Sequence, residues 1–404
     1  MRILIVQDTD WIRRNPIQHT HLAERMVLRG HDIRVIDYEI LWKEEGEKEL
    51  LSQRQVFHAS RVMEGSNIEV IRPPIVKIPI LDYVSMLWTY QREIIRQINE
   101  FKPDIVLGND ILTTRLAFRV AKKSGIPTIF YSIDIEHRLV PYRALQPLGK
   151  LVESGNIMSA DLVISINEGL RDYTIKMGAD PEKTHVIRAG IDTQLYDPSV
   201  SGDRVKEQYG ISDSDKVLFF MGWLYQFSGL KELALELTKI QSLHPEIKLL
   251  IVGDGDAFDE INSIRLENHL EDKIILTGRQ PYERLAEFIA CADVCLLPAY
   301  NNEIMRDIVP IKLYEYMAMR KPVISTKLPG VMKEFSEGNG VIYIEKPEDA
   351  LEKALEIIYE GNITKEGDRA RKFVEKLDWE HITDEYEYTL NDMLERYSYG
   401  DCNT

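Results

Sequence analysis

The chain has 404 residues, 44% of them hydrophobic, and a formal net charge of −16 at pH 7. That length holds two cores at ~100–200 residues per domain, and the acidity disfavours a nucleic-acid partner while leaving room for a local basic cleft. Residues 1–200 carry 26 Lys and Arg against 27 Asp and Glu, so the acid excess of 15 lies in residues 201–404 and any membrane contact falls to the N-terminal half.

Cys291, Cys295 and Cys402 cannot build a disulfide framework, and MRILIVQD enters a strand without the regions of a signal peptide. No apolar run nears the ~20 residues that cross a bilayer. The expectation is a cytoplasmic protein, at most peripheral at the inner membrane face.

In chain order, short β-branched runs alternate with amphipathic helical stretches, the signature of an α/β chain of βαβ units. The first series of expected strands is Ile3–Val6, Ile33–Asp37, Ile105–Leu107, Thr128–Tyr131, Leu162–Ile164 and His185–Ile187. RAGIDTQLYDPSVSGD then reads as a linker at about 190–203. The second series is Val217–Phe220, Lys248–Val252, Ile274–Thr277, Val294–Leu297, Pro322–Ser325 and Val341–Tyr343. The expected domains are 1–195, 196–375 and a final segment, 376–404, whose helix places Trp379, Ile382, Tyr386 and Leu390 at apolar spacing and packs back on the first domain.

Common chemical signatures are missing. Gln7-Asp8-Thr9-Asp10 follows the first strand where a dinucleotide-binding chain would place glycines, and no Walker loop, His-Glu-x-x-His or Gly-x-Ser-x-Gly occurs. The richest stretch is LLPAYNNEIMRDIVPIKLYEYMAMRKPVIST. A buried strand ends at Pro298, a polar loop follows, and a helix begins with Pro310 at its first position. Its free amides, Ile311 foremost, and its positive dipole end suit a diphosphate. Lys312 stands in the first turn where it meets a phosphate oxygen, and Glu315, three residues on, can accept hydrogen bonds from ribose hydroxyls; a surface Lys312–Glu315 ion pair is the alternative.

This stretch resembles the donor signature of the retaining GT-B glycosyltransferases that include glycogen and sucrose synthases. There two acidic residues stand where Asp307 and Glu315 stand here, followed by a small-residue helix and a turn like KPVIST. The form PIKLYEYMA is similar to members that build cell-surface polysaccharides and glycolipids. RAGIDTQLYDP, FMGWLYQFSGLKEL, LLIVGDGD and ILTGRQPYERLAEFIACADVCLLP follow in the family's order over about residues 1–396.

The resemblance implies a GT-B fold, two Rossmann-like domains facing across a cleft, and a hexosyl- or related transferase using a UDP-, GDP- or ADP-sugar. It further implies a glycan, lipid-linked or small-molecule acceptor, retained anomeric configuration, and neither metal nor other cofactor. It places Gly222, Trp223, Ser228, Arg279, Lys231, Ile311, Lys312 and Glu315 around the donor and Asp307 at the reacting sugar. The family commonly has Arg and Lys where this chain has Trp223 and Ser228, so Lys312, Arg279 and Lys231 are the substitutes for neutralising the diphosphate. Trp223 is alternatively plain core. A GT-B sugar-nucleotide epimerase and a nucleotide-sugar-binding homologue of weak activity are the rival readings.

In the first half, Arg13 and Arg14 follow the first strand and suit either an acceptor phosphate or ordinary exposed surface, and His19 reads as a solvated or acceptor-contacting residue. Asn109 and Asp110 follow the third expected strand and are further acceptor candidates. Asp134 and His137 follow Thr128–Tyr131, where the resemblance places a polar residue facing the transferred sugar. Ile71–Trp88, flanked by Arg72 and Lys77, suits either half-buried core or a membrane interface with Tyr83 and Trp88 at headgroup depth. Cys291 and Cys295 read as buried structural thiols.

Overall fold

The computed structural model describes residues 1–13, 16–39, 50–78, 81–140 and 142–400. Two compact units result: the chain up to Ala189 joined by the chain from Glu380, and Gly190–Trp379 between them. Among the described residues no helix is long and apolar enough to cross a membrane.

The first unit is built on β1 (Arg2–Val6), β2 (Asp32–Ile36), β3 (Gln55–Ala59), β4 (Ile68–Arg72), β5 (Ile105–Gly108), β6 (Thr128–Ser132), β7 (Leu162–Ser165) and β8 (Thr184–Val186). They lie in the order β3-β4-β2-β1-β5-β6-β7-β8, all parallel except β3, which runs antiparallel to β4. β5, β6 and β7 are buried along their whole length, as strands covered on both faces must be. The sequence reading lacked β3 and β4. Gln55–Ala59 is an edge strand of mixed polarity, exposed along most of its length, and so carries little apolar signal.

Helices Leu81–Glu100, Leu112–Lys123 and Gln146–Ser159 cover one face, where Met86, Tyr90, Ile94, Phe118 and Ile157 join one core with Leu4, Val106 and Phe130. The β1-to-β2 connection runs across the sheet in the opposite sense to β5-to-β6. Right-handed crossovers therefore place its helix, Gln18–Leu28, on the other face. The terminal helix Trp379–Gly400 returns to this unit. Arg29 meets Glu380, Asp384 and Glu387 at 2.8, 2.7 and 3.1 Å, and Tyr386 lies edge-on to Tyr131 at 6.3 Å.

The second unit has β9 (Lys216–Met221), β10 (Ile247–Val252), β11 (Ile274–Leu276), β12 (Val294–Leu297), β13 (Val323–Thr326) and β14 (Val341–Ile344), all parallel, in the order β11-β10-β9-β12-β13-β14. β10 and β12 are buried throughout. Cys291 and Cys295 are buried and free. The stretch read as a linker is part of this unit: Tyr196 is fully buried, and Thr193 donates a hydrogen bond to Asp378 at 2.5 Å.

Candidate functional site

Crossover topology gathers the carboxyl ends of parallel strands along one edge of each sheet, where side chains leave the ladder and are free to meet a ligand. In the second unit that edge carries a cleft of about 340 Å³ between the ends of β9, β10 and β11 and the start of helix Ile311–Ala318. Gly222, Trp223, Asp254, Arg279, Lys312 and Glu315 are among the residues lining it.

The strand ends approach closely because both turns are glycine. Gly222 has φ 126° and Gly253 φ 138°; a Cβ on Gly253 would lie 2.0 Å from the Gly222 carbonyl oxygen, and one on Gly222 2.6 Å from Lys312 Nζ. The helix is anchored from behind, since the Met221 amide donates to the Tyr316 hydroxyl at 2.9 Å and the Tyr316 ring meets Phe219 edge-on at 5.7 Å. Its first residue is Ile311, one later than the sequence suggested. Pro310 is the extended N-cap (φ −68°, ψ 132°), leaving Lys312 at the second helical position with no side chain capping that end.

Lys312 and Glu315 share the inward face without forming an ion pair. The Lys312 ammonium lies 4.2 Å from the centre of the Phe220 ring, and burial pulls its pKa down to about 8. Glu315 accepts a hydrogen bond from the Tyr196 hydroxyl at 2.9 Å, and burial pushes its carboxyl up to about 7. Tyr282, itself exposed, stands edge-on to buried Tyr196 at 6.2 Å.

The other residues read from the sequence divide clearly. Trp223 is 41% exposed, so it is not core; its ring lies 5.1 Å from the Arg279 guanidinium, which stands 4.0 Å from Asp254. Ser228 is buried, its amide bonded to the Tyr225 carbonyl, and Lys231 pairs with Glu260 at 2.5 Å; neither lines the cleft. Ile311 is exposed beside it. Asp307 is also exposed and outside the lining, 3.8 Å from Arg306, in a loop tied down where the Gly330 amide donates to the Arg306 carbonyl at 2.7 Å.

Known proteins match along this frame. The family model described as glycosyl transferases group 1 matches residues 202–376, and the glycosyltransferase family 4 model matches residues 19–195. The chain is a group 1 glycosyltransferase. The transferase is 26% identical over 320 residues to N-acetyl-alpha-D-glucosaminyl L-malate synthase of Bacillus anthracis, covering 70% of this chain and 79% of that protein. It is 26% identical over 225 residues to alpha-D-kanosaminyltransferase of Streptomyces kanamyceticus, covering 53% and 56%. Among solved structures it is similar to Anabaena HepE in complex with UDP (TM-score 0.73, 17% identity, 97% of this chain and 100% of that one). Sucrose-phosphate synthase of Thermosynechococcus elongatus is similar at TM-score 0.70, 17% identity, 98% and 99% coverage. The fold is GT-B.

In the transferase's first unit, the corresponding sheet edge holds a second constellation. His137 Nδ1 donates to buried Glu153 at 2.8 Å and stands 3.1 Å from the Tyr173 hydroxyl, which donates to the other Glu153 oxygen at 2.8 Å. That arrangement orients the ring and leaves Nε2 with no partner among the described residues. Burial raises the pKa of Asp134, and burial with Asp8, Asp110, Asp134 and Glu153 nearby holds Glu136 well above the usual range. Glu136, Glu153 and Tyr173 escaped the sequence reading because nothing in their spacing ties them to His137.

Two acceptor expectations and one membrane-interface expectation change. Asp110 is occupied in holding the start of helix Leu112–Lys123, accepting from Thr113 and from the Thr114 amide at 3.0 Å. His19 is buried, Nε2 2.8 Å from Gln7 Oε1 and its pKa down to about 4, so it stays neutral and off the surface. Arg72 and Lys77 are buried as well. Arg72 binds Asp37 and Asp10 at 2.7 and 2.9 Å and Lys77 binds Glu39 at 3.0 Å, which removes both from any membrane-facing role. Asn109 is buried at the end of β5 with Oδ1 unpartnered. Arg13 is exposed, its amide donating to Asp10 at 2.9 Å; Arg14 lies outside the described residues.

Proposed function

We propose that the transferase holds a UDP-, GDP- or ADP-sugar in the cleft of the second unit and passes the sugar, with retention and without a metal, to a glycan, lipid-linked or small-molecule acceptor bound by the first. The observation that carries this reading is the cleft pair. Glu315, steadied by Tyr196, is a bidentate acceptor suited to adjacent ribose hydroxyls, and Lys312 supplies a half-buried ammonium beside the free amides of the helix N-terminus. Together they match a nucleoside diphosphate: a diol at one end, negative charge at the other. HepE was solved with UDP and with UDP-glucose, which supports the same class of donor here.

In the reaction the bond between the anomeric carbon and the leaving phosphate oxygen breaks, the acceptor oxygen bonds that carbon from the same face, and its proton passes to the phosphate. The chain supplies charge stabilisation and alignment, not a nucleophile. Lys312 takes the diphosphate charge that Trp223 and Ser228 cannot. Asp134 and His137 contact the sugar or acceptor from the first unit, and Asp307 orients the donor sugar.

Incubation with UDP-, GDP- and ADP-sugars, with and without polyprenyl-phosphate or glycolipid acceptors, tests the reading. Glycosylated acceptor supports transfer. Nucleotide released with a free epimerised sugar in the absence of acceptor would show the epimerase, and binding without either product a non-catalytic homologue.

A further inference from the structure

The three helices that cover the first unit's sheet present an outer surface that the proposed reaction does not use. Leu81–Glu100 and Gln146–Ser159 flank Leu112–Lys123, and a groove of about 400 Å³ runs among all three, lined by Leu87, Leu116, Leu151, Val152 and the stems of Arg115 and Arg119. On the two flanking helices large apolar side chains stand out into solvent: Trp88 is 69% exposed, Leu151 72%, Leu148 58% and Val84 52%. They are not stray residues. Val84, Leu87 and Trp88 stand at spacings of three and four on one helix face, as do Leu148, Leu151 and Val152, while Met86, Tyr90, Asn156 and Ile157 point into the core.

The middle helix carries the charge. Arg115, Arg119, Lys122 and Lys123 recur at spacings of four, three and one on its outer face, and the helix contains no acid. Arg119, Lys122 and Lys123 are exposed and form no ion pair among the described residues. On a chain of net charge −16 this is a concentrated cationic stripe set between two apolar ones.

We propose that this face docks on a bilayer containing anionic lipid, with Val84, Trp88, Leu148 and Leu151 entering the headgroup boundary and Arg115, Arg119, Lys122 and Lys123 meeting lipid phosphates. Apolar side chains beside a cationic row are the chemistry of an interfacial surface, where burial and attraction to anionic headgroups act together. The charge pattern selects this occupant over a second copy of the chain, because a self-complementary contact would set the cationic row against itself. The Ile71–Lys77 loop is not part of it, since its basic residues are buried in ion pairs. The proposal does not depend on the donor assignment.

Co-sedimentation of the full chain with vesicles of phosphatidylcholine alone and of phosphatidylcholine with 30% phosphatidylglycerol tests it, at about 50 and 300 mM salt. The expected result is partitioning onto the anionic vesicles that weakens with salt. In the double variant Arg119→Gln, Lys122→Gln it should fall roughly thirty-fold at low salt, about five-fold for each cation. Trp88→Ser with Leu151→Ser should weaken binding at both salt concentrations. Circular dichroism and nucleotide affinity unchanged from the parent exclude misfolding. Equal binding to both vesicle types, no binding to either, or a dimer in light scattering that Leu151→Ser dissolves would each overturn the proposal.

Discussion

Replacing Lys312 with Met separates a ligand-binding lysine from a structural one, because the two roles predict opposite changes in stability. The ammonium has no carboxylate partner within ion-pair distance and is half-buried beside Phe220, and desolvation there lowers its pKa from 10.5 to about 8. A lysine whose folded pKa lies below its unfolded value burdens the fold at low pH and is relieved as pH rises. The burden is fully present below pH 8, shrinks through the window from 8 to 10.5, and at neutral pH amounts to about 3 kcal/mol, taking ~1.4 kcal/mol per pKa unit. Lys312→Met should therefore raise the melting temperature of the ligand-free second unit by several degrees at pH 7 and by less at pH 10.

Turnover should move the other way. Removing one fixed donor to developing negative charge costs roughly 100- to 1000-fold in kcat. Calorimetric titration should show nucleoside diphosphate binding weakened by about ten-fold or more, while nucleoside affinity stays within about two-fold. Scanning calorimetry with initial-rate assays measures both sides. A melting temperature that falls together with unchanged kcat would refute the reasoning, because it would make Lys312 a structural group.

Five further outcomes are expected, the first four from the geometry. Nucleotide affinity should peak between about pH 7 and 8 and fall on either side, since Glu315 must lose its proton, with pKa about 7, and Lys312 must keep its own, with pKa about 8; calorimetry across pH 5.5 to 9.5 reads this directly. Tyr196→Phe removes a hydrogen bond that favours ionised Glu315, so the acid limb of that profile should move to higher pH and affinity at pH 7 should drop by about 1 kcal/mol. Gly222→Ala forces a Cβ into the space of Lys312 Nζ at a φ of 126°, and should weaken diphosphate binding at least ten-fold by isothermal titration. Asp110→Asn should cost about 1 kcal/mol in urea unfolding of the first unit through the lost hold on helix Leu112–Lys123, with acceptor KM unchanged. Turnover should also survive dialysis against EDTA, the outcome expected if no metal takes part.

Much of the architecture was legible because parallel strands buried on both faces leave continuous apolar runs. Val294–Leu297 coincides with β12, and the other eleven expected strands overlap the observed ones. β3 escaped because pairing at a sheet edge is set by contacts between strands and not by local burial, whereas β4, buried between β2 and β3, runs at Ile71 straight into the apolar, Pro-interrupted stretch Ile71–Trp88 and so has no boundary of its own in the sequence. In the cleft, Lys312 and Glu315 were readable since three residues on a helix place side chains on one face. Tyr196 was not, because 119 residues separate it from Glu315 and only the fold joins them. Glycine, aspartate and proline around it signalled a linker, whereas the tyrosine itself is packed into the second unit. Asp110 and His19 misled in the opposite direction: a polar residue after a strand is as readily spent on holding the next helix, or buried against a glutamine, as on a ligand.

The central claim is that Glu315 and Lys312 hold a sugar nucleotide in the second unit. Titrating the wild-type chain and Glu315→Ala with a panel of UDP-, GDP- and ADP-sugars tests it most directly. The account predicts that the wild type binds at least one of them and that the variant binds the same ligand at least about 100-fold more weakly, the loss of two charge-assisted hydrogen bonds. A variant that retains wild-type affinity for every sugar nucleotide the parent binds would contradict it.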